Sequence, residues 1–285
     1  MADNTRTTIR TYEPAGDPKG ITGSLKTACL EIFHSRHVIW HLFKRDFVAQ
    51  FRQKILGYLW IIIAPLLAIF PFVFLYRAGI LNPGDTTMPY PLYIVIGMGI
   101  WGFLTSVFTV VSSGLQGNQD LLMKTNIPKI TFAITGLANI FYGMLVHWLV
   151  VVLFALVVGI TPSPWALLYP VALLPVVCIG LGLGLIFSVI GTVARDLSGM
   201  MSTFLNLLMF VSPVVYKPEF GDAALAAIVM WNPMTYLVDL PRSLFVLGEF
   251  PDPKGFAAAA IFSLIVLGVG LHSFYLIKDK VAERL

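Results

Sequence analysis

Residues 130–193 contain no Asp, Glu, Lys or Arg, and residues 197–216 contain none either. Stretches of that length cannot present a water-facing surface. A helical protein crossing a membrane several times is the class that accommodates them, because only internally hydrogen-bonded helices tolerate hydrocarbon around the backbone. The whole chain agrees: 57% of residues are hydrophobic and 12% charged, with mean hydropathy +0.82. A soluble domain is about half apolar and a quarter charged. The expected fold class is therefore an all-α polytopic membrane protein. Cys29 and Cys178 are far apart and suggest neither a disulfide framework nor a metal site. The positive excess follows the loops and needs no nucleic acid to explain it.

Six spans are expected, over residues 55–76, 92–111, 130–160, 166–193, 200–216 and 256–277. An even number places both termini on one side. Fifteen Lys and Arg fall on that side and four on the other, so both termini are expected to be cytoplasmic. Residues 1–24 are polar, with no apolar core, and read as a cytoplasmic tail rather than a secretory signal. Residues 25–54 read as an amphipathic interface helix. Ile39, Phe43, Phe47 and Phe51 recur at spacing four, while His41, Arg45 and Arg52 gather on another face. Asp46 and Gln50 fall on the apolar side and spoil the pattern. Residues 55–277 form the six-span unit and residues 278–285 a cytoplasmic C-terminus. Two short inner loops, 116–128 and 194–199, are polar. Residues 217–254 are different: two apolar pieces, each too short to span, flank Asn232-Pro233 and read as a re-entrant helical hairpin on the outer side.

The search for chemistry is mostly negative. The chain has no phosphate-binding loop, no H-E-x-x-H, no G-x-S-x-G and no acid well inside a span. His34, His37 and His41 fit a membrane-surface face, with metal binding as the alternative. His147 lies within a span and is either a functional group or a neutral imidazole bonded to a neighbouring helix. The chain thus holds neither an ATP site nor a buried carboxylate for ion coupling. A passage without an energy source implies a partner that supplies one.

A set of residues in order along the chain carries a resemblance. Arg45-Asp46, Phe51-Arg52-Gln53, Leu56-Gly57, Trp60 and Pro65 open it. Tyr90-Pro91, Trp101, Asn118, Leu121, Lys124, Pro128 and Arg195-Asp196 follow. Ser212-Pro213-Val214-x-Tyr216, Asn232-Pro233-Met234 and Arg242 close it. Together they resemble the ABC-2-type permeases of polysaccharide exporters (O-antigen, capsule, teichoic acid), and O-antigen permeases in particular. The second loop departs mildly, reading Ala194-Arg195-Asp196 without a further aromatic or basic residue.

The resemblance implies a homodimer in the bacterial inner membrane bound to two copies of a cytoplasmic ABC ATPase. That partner would bind ATP and Mg, with no cofactor in this chain. The cargo would be a polysaccharide on an undecaprenyl-pyrophosphate-type lipid, moved through a channel at the dimer interface. ATPase coupling is expected at Asn118, Asp120, Lys124, Arg195 and Asp196. Leu56-Gly57 is expected to be a gate loop, since glycine permits the backbone change of a moving joint. A bulky β-branched residue in place of Gly57 should then block export and leave assembly intact; normal export by such a variant removes the gate role. Tyr58, Trp60, Phe72, Tyr76 and Trp101 are candidates for stacking on sugar faces, with packing as the alternative for each. Arg77 and Arg242 are candidates for the carrier pyrophosphate and an outer gate, because guanidinium forks match phosphate oxygens; salt bridging or snorkelling is the alternative. Three other readings remain open from sequence: an ABC-2 permease for drugs or small lipids, a membrane enzyme acting on lipid-linked sugars, and a purely structural or assembly subunit.

Overall fold

The computed structural model describes residues 20–52, 59–125, 127–218 and 222–282. The described residues contain thirteen α-helices, two 3-10 turns and no strand: α1 (Gly20–His34), α2 (Arg36–Arg52), α3 (Leu59–Arg77), α4 (Tyr90–Ser113), α5 (Gln119–Lys124), α6 (Lys129–Ile134), α7 (Leu137–Val157), α8 (Tyr169–Ala172), α9 (Leu174–Val193), α10 (Arg195–Val211), α11 (Ala223–Trp231), α12 (Pro233–Val246) and α13 (Pro253–Ala282). By length and apolar composition four segments among the described residues can cross a membrane: Tyr90–Ser113, Lys129–Val157, Pro164–Gly191 and Pro253–Lys278. The pair α11 and α12, bent by 77° at Asn232-Pro233, is a fifth if counted as one span. The expected first and fifth spans correspond to shorter apolar helices, Ile63–Arg77 and Asp196–Val211. The chain is a multi-pass membrane protein.

The helix ends sort into two groups. Residues 114–128, 191–199 and the end of α13 meet at one end, where Gln116 Nε2 donates to Gly191 O and Lys129 Nζ donates to Lys278 O (2.7 Å). Residues 81–83, 163 and 212–217 meet at the other, where Lys217 N donates to Pro83 O (2.8 Å) and Ser163 N to Phe245 O (2.9 Å). We call these the inner and outer ends, following the charge asymmetry.

α4 is the core of the bundle; fifteen of its residues are buried, from Tyr90 to Ser112. α9 lies between α4 and α13, and its glycines make this possible. A Cβ on Gly182 would sit 2.6 Å from the Val266 carbonyl carbon and 2.8 Å from Leu267 N, both backbone atoms of α13. Cβ atoms on Gly180 and Gly184 would meet Val107 and Val111 of α4 at 2.8 and 2.7 Å. Small residues let membrane helices approach until their backbones touch, where dispersion contacts replace the missing hydrophobic drive.

The N-terminal region differs from the single helix expected over 25–54. Helix begins at Gly20 and breaks at Ser35. α1 lies along the inner half of α13: Ile21 packs over Gly268, Ser24 Oγ meets His272 Nδ1 (3.2 Å), and Tyr275 OH donates to Glu31 Oε2 (2.7 Å). Ser24 and Ala28, one turn apart, form the buried face. α2 turns Val38, Ile39, Leu42, Phe43 and Phe47 toward the protein and leaves His37, Trp40, His41, Lys44 and Arg45 exposed. Phe47 packs edge-on against Tyr142 of α7, with ring centres 5.1 Å apart. The rings expected in the acyl boundary thus include one that grips a span.

Candidate functional site

Three places carry the chemistry. The first is the inner end. α5 is a short helical segment between the turn at Gln116–Asn118 and an extended residue, Thr125, with Leu121 and Leu122 packed against the core. Asp120 and Lys124 fall four apart and are both exposed, so they share a face pointing away from the bundle. Asn118 is tied inward: its Nδ2 donates to Gly114 O (2.9 Å), and its Oδ1 accepts from Arg45 Nη2 (3.5 Å). The second expected contact, at Arg195-Asp196, is brought beside the first. Gln116 reaches Gly191, and Gly191 lies against Ser198, whose Oγ donates to Phe187 O (3.3 Å). Asp196 is exposed; the Arg195 side chain lies outside the described part. Sequence reading named both loops but not the contacts through Gly191 and Ser198 that join them. Nothing in a local motif announces a pairing across 75 residues.

The second place is a cavity of about 920 Å³ between α3, α4 and α7. Along α4 it runs from Val95 to Ser113, a rise of ~27 Å at 1.5 Å per residue, comparable to a hydrocarbon core of about 30 Å. Its walls combine apolar side chains such as Met98, Ile140 and Met144 with small and hydroxyl residues: Ala64 and Ala68 from α3, Gly102 and Ser106 from α4, Gly143 from α7 and Gly136 just before it. His147 and Asn139 also line it, and neither His147 Nε2 nor Asn139 Oδ1 has a hydrogen-bond partner. The bond from His147 to a neighbouring helix, one of its two expected roles, is absent at Nε2; the imidazole lies across Gly99 instead. Asp46, the misfit on the apolar face of α2, lines the inner mouth and pairs with Arg45 Nε at 2.8 Å. A carboxylate there faces a cavity rather than lipid, which explains the break in the pattern.

The described aromatic candidates, Phe72, Tyr76 and Trp101, do not line this cavity. Trp101 is 3% exposed and belongs to the core. Phe72 is half-buried, and Tyr76 packs on Tyr90 with ring centres 4.7 Å apart; none of the three lines the space. Phe103 and Pro65 do. Leu56, Gly57 and Tyr58, and the Trp60 side chain, lie outside the described part.

The third place is the outer end. α10 stops at Val211, so its 17 residues rise only ~25 Å. Residues 213–216 continue without helical bonds, and their carbonyls need other donors. Three side chains supply them. Arg242 Nη1 donates to Pro213 O (3.3 Å) and Nη2 to Val214 O (3.0 Å). Tyr90 OH donates to Val215 O (3.1 Å) and Tyr93 OH to Tyr216 O (2.9 Å). The Arg242 guanidinium also lies 3.6 Å from the Tyr93 ring centre, a cation–π contact. Asn232 Nδ2 donates to Ser212 Oγ (2.8 Å), while its Oδ1 accepts from Met234 N and caps α12. The motifs at Tyr90-Pro91, Ser212–Tyr216, Asn232–Met234 and Arg242 are therefore one contact network. Arg242 is 2% exposed and engaged with carbonyls, so it does not face open space where a phosphate could approach. Arg77 is exposed at the end of α3.

The sequence comparisons agree with this arrangement. The model of the ABC-2 type transporter membrane family matches residues 37–246. The O-antigen export system permease protein RfbA of Myxococcus xanthus is 24% identical over 269 residues, covering 90% of this chain and 98% of its own. A Klebsiella pneumoniae protein of the same name is 26% identical over 248 residues, covering 85% and 92%. The polysialic acid transport protein KpsM of Escherichia coli is 24% identical over 251 residues, covering 81% and 89%. The matched region takes in α2, the joined inner loops, the cavity and the whole outer network, and the chain belongs to the ABC-2 type transporter membrane family.

Proposed function

We propose that this chain is the permease subunit of an ATP-driven exporter of a lipid-linked polysaccharide of the O-antigen or capsule type. The observation that carries the reading is the near full-length similarity to permeases named for O-antigen export and polysialic acid transport. The chain works as a homodimer with two ATPase subunits in the inner membrane, with six spans per copy and cytoplasmic termini. The α11–α12 hairpin re-enters the outer leaflet.

The geometry supports a division of labour. α5 and the Arg195-Asp196 bend form one inner surface that can seat in an ATPase and pass on its closure as rigid-body motion. Leu56-Gly57 is the inner gate. The cavity contributes the polar wall of the route: small residues expose backbone and leave width, while Ser106, Asn139 and His147 offer scattered partners for sugar hydroxyls.

The test is co-reconstitution of the chain with its ATPase in vesicles, following a lipid-linked glycan across the membrane. Transport should require ATP and both subunits; glycan movement without the ATPase overturns the reading. The cavity has its own arm. At Gly102 and Gly143 an added Cβ meets nothing within 4 Å, so Gly102→Phe and Gly143→Phe should fill the space without displacing a helix. A barrier raised by ~1.4 kcal/mol slows passage about tenfold, and each variant should export at least that much more slowly while still binding its ATPase. Undiminished export in both variants removes the cavity from the route.

A further inference from the structure

The outer network has a mechanical consequence. α12, the unwound end of α10 and the outer turn of α4 are joined by six contacts: four onto successive carbonyls, one between Asn232 and Ser212, and one between the Arg242 fork and the Tyr93 ring. Arg242 is central, because it alone spans two carbonyls and the α4 ring. Gly97 makes room for it: a Cβ there would collide with Nη2 and stand 2.5 Å from Val214 O. Asp239, one turn earlier on α12, and Lys217 are the charged groups that act on this cluster. In contrast, α11 stands away from it: Leu225, Ile228, Met230 and Trp231 are exposed, the last by 88%.

We propose that Arg242 is the positioning residue of the outer end. It makes α12, residues 212–216 and the top of α4 one rigid body that stays closed upon itself throughout transport. Breaking the block takes these donors away from the carbonyls of residues 213–216 in a low-dielectric setting, which is costly, whereas moving it whole breaks none of these bonds. The exit for cargo therefore opens at the borders of the block, not between α12 and α10. This inference rests on the export reading above, and it assigns Arg242 to positioning rather than to binding the carrier.

The test locks the block covalently. In a chain with Cys29 and Cys178 replaced by Ser, Ser212→Cys and Asn232→Cys are introduced together, where the native side chains already touch. The co-reconstituted complex is assayed for ATP-dependent glycan export after oxidation and again after reduction. Export should be the same in both states. Export that stops on oxidation and returns on reduction overturns the inference alone. An absence of ATP-dependent export by the unsubstituted complex overturns the export reading and the inference with it. Arg242→Lys supplies the second measurement, since an ammonium lacks the planar fork that meets two carbonyls while stacked on the Tyr93 ring. The variant should bind its ATPase and hydrolyse ATP as before but export several-fold less glycan per ATP. An unchanged ratio of export to hydrolysis in Arg242→Lys overturns the positioning role.

Discussion

A chain carrying Asp120→Lys together with Lys124→Glu is expected to insert and fold as before and to lose its ATPase partner. Both side chains are exposed on α5, and among the described residues no ion pair depends on them, so the exchange costs the permease little. The i,i+4 pair survives in reversed order. What changes is the pattern offered outward. If a cleft in the ATPase is matched to an acid followed by a base, reversal sets like charges against each other at both positions. Such juxtapositions cost several kcal/mol; about 3 kcal/mol weakens association roughly 100-fold. The measurement is co-purification of the two subunits at physiological and raised salt, with glycan-stimulated ATP hydrolysis beside it. Salt should weaken the native complex and matter little to the variant. Undisturbed co-purification would move the contact away from α5.

The second large effect is on the fold itself. Gly182→Val should prevent assembly of the bundle, whereas Gly102→Val should not. The two glycines both lie on helices that pack within the bundle and look alike in sequence. At Gly182 the added carbons meet the α13 backbone at 2.6 and 2.8 Å, and backbone cannot rotate aside as a side chain can. At Gly102 they enter open space. Overpacking a close-fitting core costs about 1–3 kcal/mol even when neighbours can adjust, so Gly182→Val falls at the high end or beyond. Thermal unfolding of the purified chain in detergent checks this: a drop of many degrees, or no folded protein, is expected for Gly182→Val and a small change for Gly102→Val. Equal stability of the two variants would mean that α9 and α13 do not touch through Gly182.

The comparison between residues and structure is clearest at particular places. The apolar runs, the two polar inner loops and the break at Asn232-Pro233 follow from hydropathy and turn chemistry, and the helices lie close to where these put them. The motif residues could be picked out one by one, but their assembly could not. Tyr90 and Val215 are 125 residues apart, and no periodicity links them. Arg242 shows the limit best. As an isolated cation among apolar residues it invites a phosphate; in place, it meets Pro213 O, Val214 O and the Tyr93 ring. Two of the aromatic candidates likewise meet protein: Trp101 fills the core and Tyr76 stacks on Tyr90.

What the sequence determined alone was the environment: charge-free stretches that only a membrane accommodates. Tertiary structure decided which apolar helices are core and which faces are open. The physical reason is that lipid and protein interior are equally apolar, so hydropathy carries no contrast between α4, buried along its length, and the exposed face of α10. It also decided what each polar group does, because in a low dielectric a donor is defined by the acceptor that folding places within its reach.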